Sequence, residues 1–332
     1  MGTYFKYFLL ALIIAVSSCS KEDFMDMPAM SAEFLEKKSI ADIRIHNDGV
    51  WFRSERPCDT CRVPIYSSYI PVISQLSRMK GTDFRFDESK NLMIPIADSR
   101  GNLYTATQNE ILKINDIRNY TSVLKTGDFT FNQFVFDKKD GIWMGGNKGI
   151  AYWNGSKTTN YTSANSQIAS DITHGMAADQ AGNVWIALDF GKGLLKITDG
   201  KWETIPYDKI PGLGASSYLS KPLVDKNNRI WFTSFNSTNP TNVICFDGKK
   251  WITDFPGILK NGLLFVDSQG NIWRLNHIID TSSTMKFTLQ FLNNEAWVNY
   301  DVSDVNHLII SLDADRENVF LGTSAGLVVK YR

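Results

Sequence analysis

Apolar runs in this chain end repeatedly at an aspartate, as in PLVD (222–225) and LLFVD (263–267). A polar turn follows each, and a second apolar run opens on an aromatic residue six positions past the aspartate. The pairs are Asp98 with Tyr104, Asp137 with Trp143, Asp179 with Trp185, Asp225 with Trp231 and Asp267 with Trp273. HNDGVW places Trp51 in an earlier copy, and DADRENVFLGTSAGL puts Phe320 near the same slot with one extra residue. From Asp98 the aspartates step by 39, 42, 46, 42 and 46 residues to Asp313. Each copy reads as strand, tight turn, strand, loop, strand, turn, strand. A period near forty built of four short strands is the pattern of a β-propeller blade.

The turn chemistry sorts the two faces of such a blade. Gly101, Gly182 and Gly270 stand three residues past their aspartates, with Asn228 in the same slot. Both residue types tolerate positive φ. The aspartate then accepts bonds from the turn's own amides, a structural duty that fits a residue needed once per repeat better than catalysis or metal binding. The aromatic slot predicts packing between blades. Asn154-Gly155, Asp199-Gly200 and Asp247-Gly248 are hairpin signals for the turn after the third strand. Both tight turns fall on one face, so the longer connections fall on the other, where binding groups are usually carried. The expected fold is all-β, a seven-bladed propeller over residues 33–332. The chain stops on the third strand of its last copy, GLVVKYR, and residues 33–40 are expected to supply the outer strand and close the ring. Register is ambiguous over 54–97: Asp87 also precedes Met93 by six, part of 66–80 reads as an insertion, and Pro64, Pro71 and Pro95 argue against long regular strands.

The charges balance, 35 basic against 35 acidic, which gives no ground for a nucleic-acid partner. Residues 1–18 read as a signal segment: Lys6 supplies a basic start, and the apolar core Phe8 to Val16 is too short to span a bilayer. Val16-Ser17-Ser18-Cys19 resembles a bacterial lipobox, which implies cleavage before Cys19 and lipid on that cysteine. Residues 19–32 become a lipidated tether and the membrane a partner. Ser20-Lys21-Glu22-Asp23 resembles a lipoprotein surface-export signal of Bacteroidetes, favouring the outer membrane, periplasmic or surface-facing.

The remaining chemistry is sparse. Cys58 and Cys61 form a C-x-x-C, for which a local disulfide is the default in an exported protein. Arg62 stands where haem attachment needs histidine, and zinc would need two further ligands nearby. Cys245 reads as a buried thiol. His174, His277 and His307 fall on the loop-rich rim in different blades. Arg53, Asp189, Arg274 and Asn276 follow the aromatic slot toward that rim, and with Glu110, Tyr218 and Asn236 they make a candidate binding surface. No phosphate loop, G-x-S-x-G or H-E-x-x-H is present, and no metal or cofactor is called for.

The copies, best preserved in DQAGNVWIALDFGKGL (179–194) and FLGTSAGL (320–327), resemble the two-component-regulator propeller repeat. That family builds periplasmic sensor domains of Bacteroidetes hybrid histidine kinases, which recognise glycan breakdown products. A more distant resemblance is to streptogramin lyases, propellers that use a histidine, an acidic residue and Mg²⁺; their catalytic residues are carried onto no position here. The lipobox and the absence of a catalytic motif, beside this resemblance, favour a non-catalytic, lipid-anchored module presenting its loop-rich rim to a glycan or an envelope protein. The alternative is a lyase or hydrolase with its site at the centre of that face.

Overall fold

The computed structural model describes residues 38–57, 72–80, 83–214, 217–235, 242–255, 262–279 and 285–331. Within them seven antiparallel sheets follow one another along the chain and form the seven blades of a propeller. Blade 4 shows the plan. Its inner strand Thr173–Ala178 turns at Asp179 into Val184–Leu188, which passes through a loop to Leu194–Thr198 and then turns at Asp199-Gly200 into the outer strand Lys201–Ile205. Its strands pair only with their sequence neighbours, a meander that the other blades follow, blade 5 with its inner strand in two pieces.

Blades adhere through the aromatic slot. Trp185 packs with Leu219, Ile230 and Phe232 of blade 5. Trp143 packs with Met176 and Ile186 of blade 4, and Trp273 with Ile309, Leu312 and Leu321 of blade 7. Trp51, Trp231 and Trp273 are fully buried. A buried aromatic of this size contributes about 2–3 kcal/mol, and each slot ring spends it on the next blade. The core is therefore a circle of seven inter-blade clusters.

The seam between the last blade and the first uses the same device. Phe320 packs with Ile40, Ile43 and Phe52. Ser311 Oγ donates to the Ile40 carbonyl at 2.8 Å, and the Ile45 amide donates to Asp313 Oδ2 at 2.9 Å. The chain's N-terminal segment thus meets the last blade, on the side where closure by residues 33–40 is expected. Ser39 and Ile40 begin the inner strand of blade 1, Ser39–His46, and pair with Glu55 and Ser54. Residues 33–37 lie outside the described residues. Among those described, blade 7 has three strands, Ile309–Ala314, Asn318–Thr323 and Gly326–Tyr331.

The strands fix the register left ambiguous in blade 1 and change it in blade 7. Blade 1 runs through Gly49–Pro57, Val72–Lys80 and Asp83–Asp87. Residues 72–80 form a regular third strand, with Val72 to Met79 paired residue by residue with Pro57 to Val50, and residues 66–71, the rest of the expected insertion, lie outside the described residues. In blade 7 the turn aspartate is Asp315, which accepts from the amides of Glu317 and Asn318 at 2.8 and 2.7 Å. Asp313 stands inside the inner strand, opposite Phe320. Measured from Asp315, Phe320 follows by five residues rather than six, so the turn of blade 7 is one residue shorter than the others. Blade 5 departs differently: its inner strand splits into Tyr218–Leu219 and Leu223–Val224 around Pro222, which has no amide to give the ladder.

Candidate functional site

On the hairpin face one arrangement recurs. Asp179 accepts from the Asn183 amide at 2.8 Å and from Trp185 Nε1 at 2.9 Å. Asp225 does the same with the Arg229 amide (2.8 Å) and Trp231 Nε1 (2.9 Å), and Asp267 with the Asn271 amide and Trp273 Nε1, both 2.8 Å. Asp137 and Trp143 repeat it at 3.2 Å, and the Tyr104 hydroxyl substitutes at Asp98, 3.3 Å away. The residue three past each aspartate is left-handed: φ is 79° at Gly101, 59° at Asp140, 88° at Gly182, 61° at Asn228 and 74° at Gly270. At Gly270 a side chain would also strike the backbone of Lys226 in blade 5, whose amide bonds the Gly270 carbonyl at 2.9 Å. These carboxylates are consumed by turns and slot rings and are unavailable for chemistry. Burial opposes ionisation of Asp98, but the bonds from Asn102 and Arg100 outweigh it and hold the carboxyl below its usual range.

Two cavities of about 340 Å³ open on this hairpin side. One, between blades 3 and 4, is lined by Trp143, Tyr152, Tyr161 and Trp202. Lys138 crosses it, donating to the Ala181 carbonyl at 3.1 Å and pairing with Asp199 at 3.6 Å. The groove is thus a bridged seam. The other, between blades 1 and 2, is crossed by Arg78, 3.1 Å from Asp116 and 3.6 Å from Asp48.

On the loop-rich face the structure brings three sequence candidates together. His174 is the second residue of blade 4's inner strand, Asp189 follows the second strand, and Tyr218 begins blade 5. His174 Nε2 and Asp189 Oδ1 are 3.3 Å apart. The His174 ring lies 5.3 Å from Tyr218 and 6.3 Å from Phe190, and Phe190 lies 4.5 Å from Tyr218. Asp189 also caps its own loop, accepting from the Phe190 amide at 2.8 Å. That loop is tied to blade 5 through the Gly191 amide and the Ser217 carbonyl, 3.2 Å. Phe190 was missed by the sequence reading. It is 54 % exposed, and the signal for it was an aromatic residue in a loop otherwise made of glycine and lysine.

The other candidates do not join this patch by any described contact. Arg53 pairs with Glu55 on its own strand, and Glu110 stands 3.9 Å from Lys125. Arg274 and Asn276 are buried in the second strand of blade 6, 1 % and 6 % exposed. His277 continues that strand, paired with Phe287, and its side chain is outside the described residues. His307 is exposed in the connection from blade 6 to blade 7. Asn236, Cys58, Cys61 and Cys19 lie outside the described residues. Cys245 is fully buried, and burial pushes its thiol up to about 12. Among the described residues no group of three or more His, Cys, Asp or Glu is placed to hold a metal ion. Nor, among them, is any helix long and apolar enough to cross a membrane.

The fold and its repeated turn define a class, the seven-bladed propellers built on an aspartate–aromatic blade motif. Among solved structures the chain is similar to the extracellular domain of a B. thetaiotaomicron protein described as a one-component system, at a TM-score of 0.60 and 16 % identity over 88 % of this chain. It is also similar to the extracellular domain of a hybrid two-component system of the same organism, at 0.59 and 18 % over 88 %. The chain spans 38 % and 39 % of those structures' lengths. A streptogramin B lyase superposes less closely, at a TM-score of 0.44 and 13 % identity over 72 % of this chain and 93 % of that one. No protein-family model matches the sequence, and no curated protein matches it.

Proposed function

We propose that the chain is a non-catalytic extracytoplasmic binding module, lipid-anchored through Cys19 at the outer membrane and carrying its ligand on the loop-rich rim between blades 4 and 5. The observation that supports this reading is the cluster of His174, Asp189, Phe190 and Tyr218. It joins an exposed aromatic face to a hydrogen-bonding edge on a scaffold held rigid by the inter-blade cores. Aromatic faces take the apolar side of a sugar ring or an apolar side chain of a protein partner, while the His–Asp edge meets hydroxyls or amides. The solved extracellular domains it resembles belong to regulators, which is in keeping with a ligand-sensing role outside the cytoplasm. A signal segment over 1–18 and a tether over 19–32 complete the reading.

The test is a glycan array and thermal-shift screen with the wild-type protein and the Phe190→Ala/Tyr218→Ala double variant, beside affinity capture from envelope fractions. A ligand or envelope protein held by the wild type and released by the double variant is the expected result. Failure of every glycan and every capture, or retention by the double variant, would remove the patch from function.

A second reading rests on the 3.3 Å contact between His174 and Asp189, a pair with the elements of general base catalysis. It makes the chain a lyase or hydrolase. Turnover of a glycan or cyclic ester that is lost in His174→Ala, with binding retained, would establish it. Binding without turnover sets it aside.

A further inference from the structure

The position directly after the aromatic slot is a core position in every blade. It holds Phe52, Thr105, Met144, Ile186, Phe232 and Leu321, all fully buried. Blade 6 places Arg274 there, 1 % exposed. The side chain faces blade 5: Ile272, two residues earlier on the same strand face, packs with Trp231, Val243 and Cys245 of that blade. Leu264 and Gln290 flank Arg274 in the register. Gly262, at the loop-rich end of the inner strand, leaves the space the guanidinium uses, because a Cβ there would come within 3.2 Å of Arg274 Nε.

Among the described residues nothing balances this charge. Nε and Nη1 of Arg274 are buried without a hydrogen-bond partner. Among the described residues no carboxylate bears on the group, and burial draws its pKa down to about 10. Arginine stays charged at neutral pH, and an uncompensated buried cation is strongly destabilising. Six blades show that an apolar side chain or a threonine fits the position. Retaining a guanidinium there makes physical sense when an acceptor from outside the chain completes it, and its planar fork matches a carboxylate or another oxyanion.

We infer that Arg274 is the cation of a small-anion site in the seam between blades 5 and 6, taking a carboxylate or an inorganic oxyanion. The site is separate from the His174–Tyr218 patch and stands whether or not that patch binds anything. The entering anion supplies the acceptors that Nε and Nη1 lack, and its occupancy ties blade 6 to blade 5.

The test is thermal unfolding of the full chain in acetate, sulfate and phosphate series, with ionic strength held by sodium fluoride. An anion bound at a hundredfold excess over Kd raises the melting temperature on the order of 5 °C for a chain of this size. The rise should appear in the wild type and vanish in Arg274→Met, whose length suits the core. Acetate against sulfate and phosphate separates a carboxylate site from an inorganic one. No rise in the wild type, or the same rise in Arg274→Met, overturns the inference. Should Arg274→Met not fold, Arg274→Lys keeps the charge without the fork: a Kd weakened tenfold or more is expected, and an unchanged Kd overturns it.

Discussion

The hairpin face and the loop-rich face of this propeller obey opposite rules. On the hairpin face five aspartates, Asp98, Asp137, Asp179, Asp225 and Asp267, each satisfy the amide four residues on and a slot ring six residues on. On the loop-rich face the aromatic pair of exposed Phe190 and half-buried Tyr218, the His–Asp contact and the glycine-bearing loop all belong to one seam, between blades 4 and 5. A residue repeated in blade after blade answers a need that recurs, namely closing a turn and pinning a ring. A residue that departs from the repeat answers a need that occurs once. Arg274 belongs with the departures although it lies in the core, since the repeat has an apolar side chain or a threonine at its position.

The largest expected effect comes from breaking the recurring bond. Asp179→Ala strands the buried Trp185 Nε1 and the Asn183 amide and should cost about 3 kcal/mol, read as a lower urea midpoint. A loss below about 1 kcal/mol would mean that water replaces the carboxylate and that the repeat is not held by it.

Asp313 should show an effect of similar size, but one that depends on pH. Burial raises its pKa to about 6, against Arg44 and the bonds it accepts from the amides of Ile45, Ser268 and Ala314. The folded pKa lies above the unfolded value of 3.8. Stability from the protonated form is therefore fully present below about pH 4 and is lost as pH rises through about 6. By linkage the loss is on the order of 3 kcal/mol. Because Asn does not titrate, the difference in stability between wild type and Asp313→Asn should move against the wild type between pH 4 and pH 7. A constant difference would show that Asp313 does not titrate at the seam.

Smaller effects separate the faces. Glu295 accepts two bonds from Arg229 Nη1, at 2.8 and 2.9 Å, but is 72 % exposed. Glu295→Gln should cost about 0.5 kcal/mol or less and be erased by salt. Phe190→Ala should leave the stability read from urea unfolding within about 0.5 kcal/mol of wild type while removing ligand capture. If Phe190→Ala instead destabilises as Asp179→Ala does, the rim patch is part of the frame.

Sequence alone determined what the local chain enforces. An aspartate, a left-handed residue and a ring six positions on make a turn whichever blade they occupy, so the repeat, the two faces and the propeller were legible. Cys245 was also readable as a buried thiol, from its place in an apolar strand. Only the tertiary structure decided what depends on residues distant in the chain. The packing at the ring's seam is one such matter: Phe320 reaches Ile40 and Phe52, and Ile45 and Ile40 are bonded to Asp313 and Ser311, contacts between the two ends of the chain that no local spacing specifies. The role of Asp313 is another, because Asp315 takes the turn and frees the earlier carboxylate for the seam. The rim patch is the last. His174, Asp189 and Tyr218 were candidates singly, but their meeting, and Phe190 beside them, depends on how blade 5 packs on blade 4 through the core cluster of Trp185, Leu219 and Phe232, which is written in no local pattern.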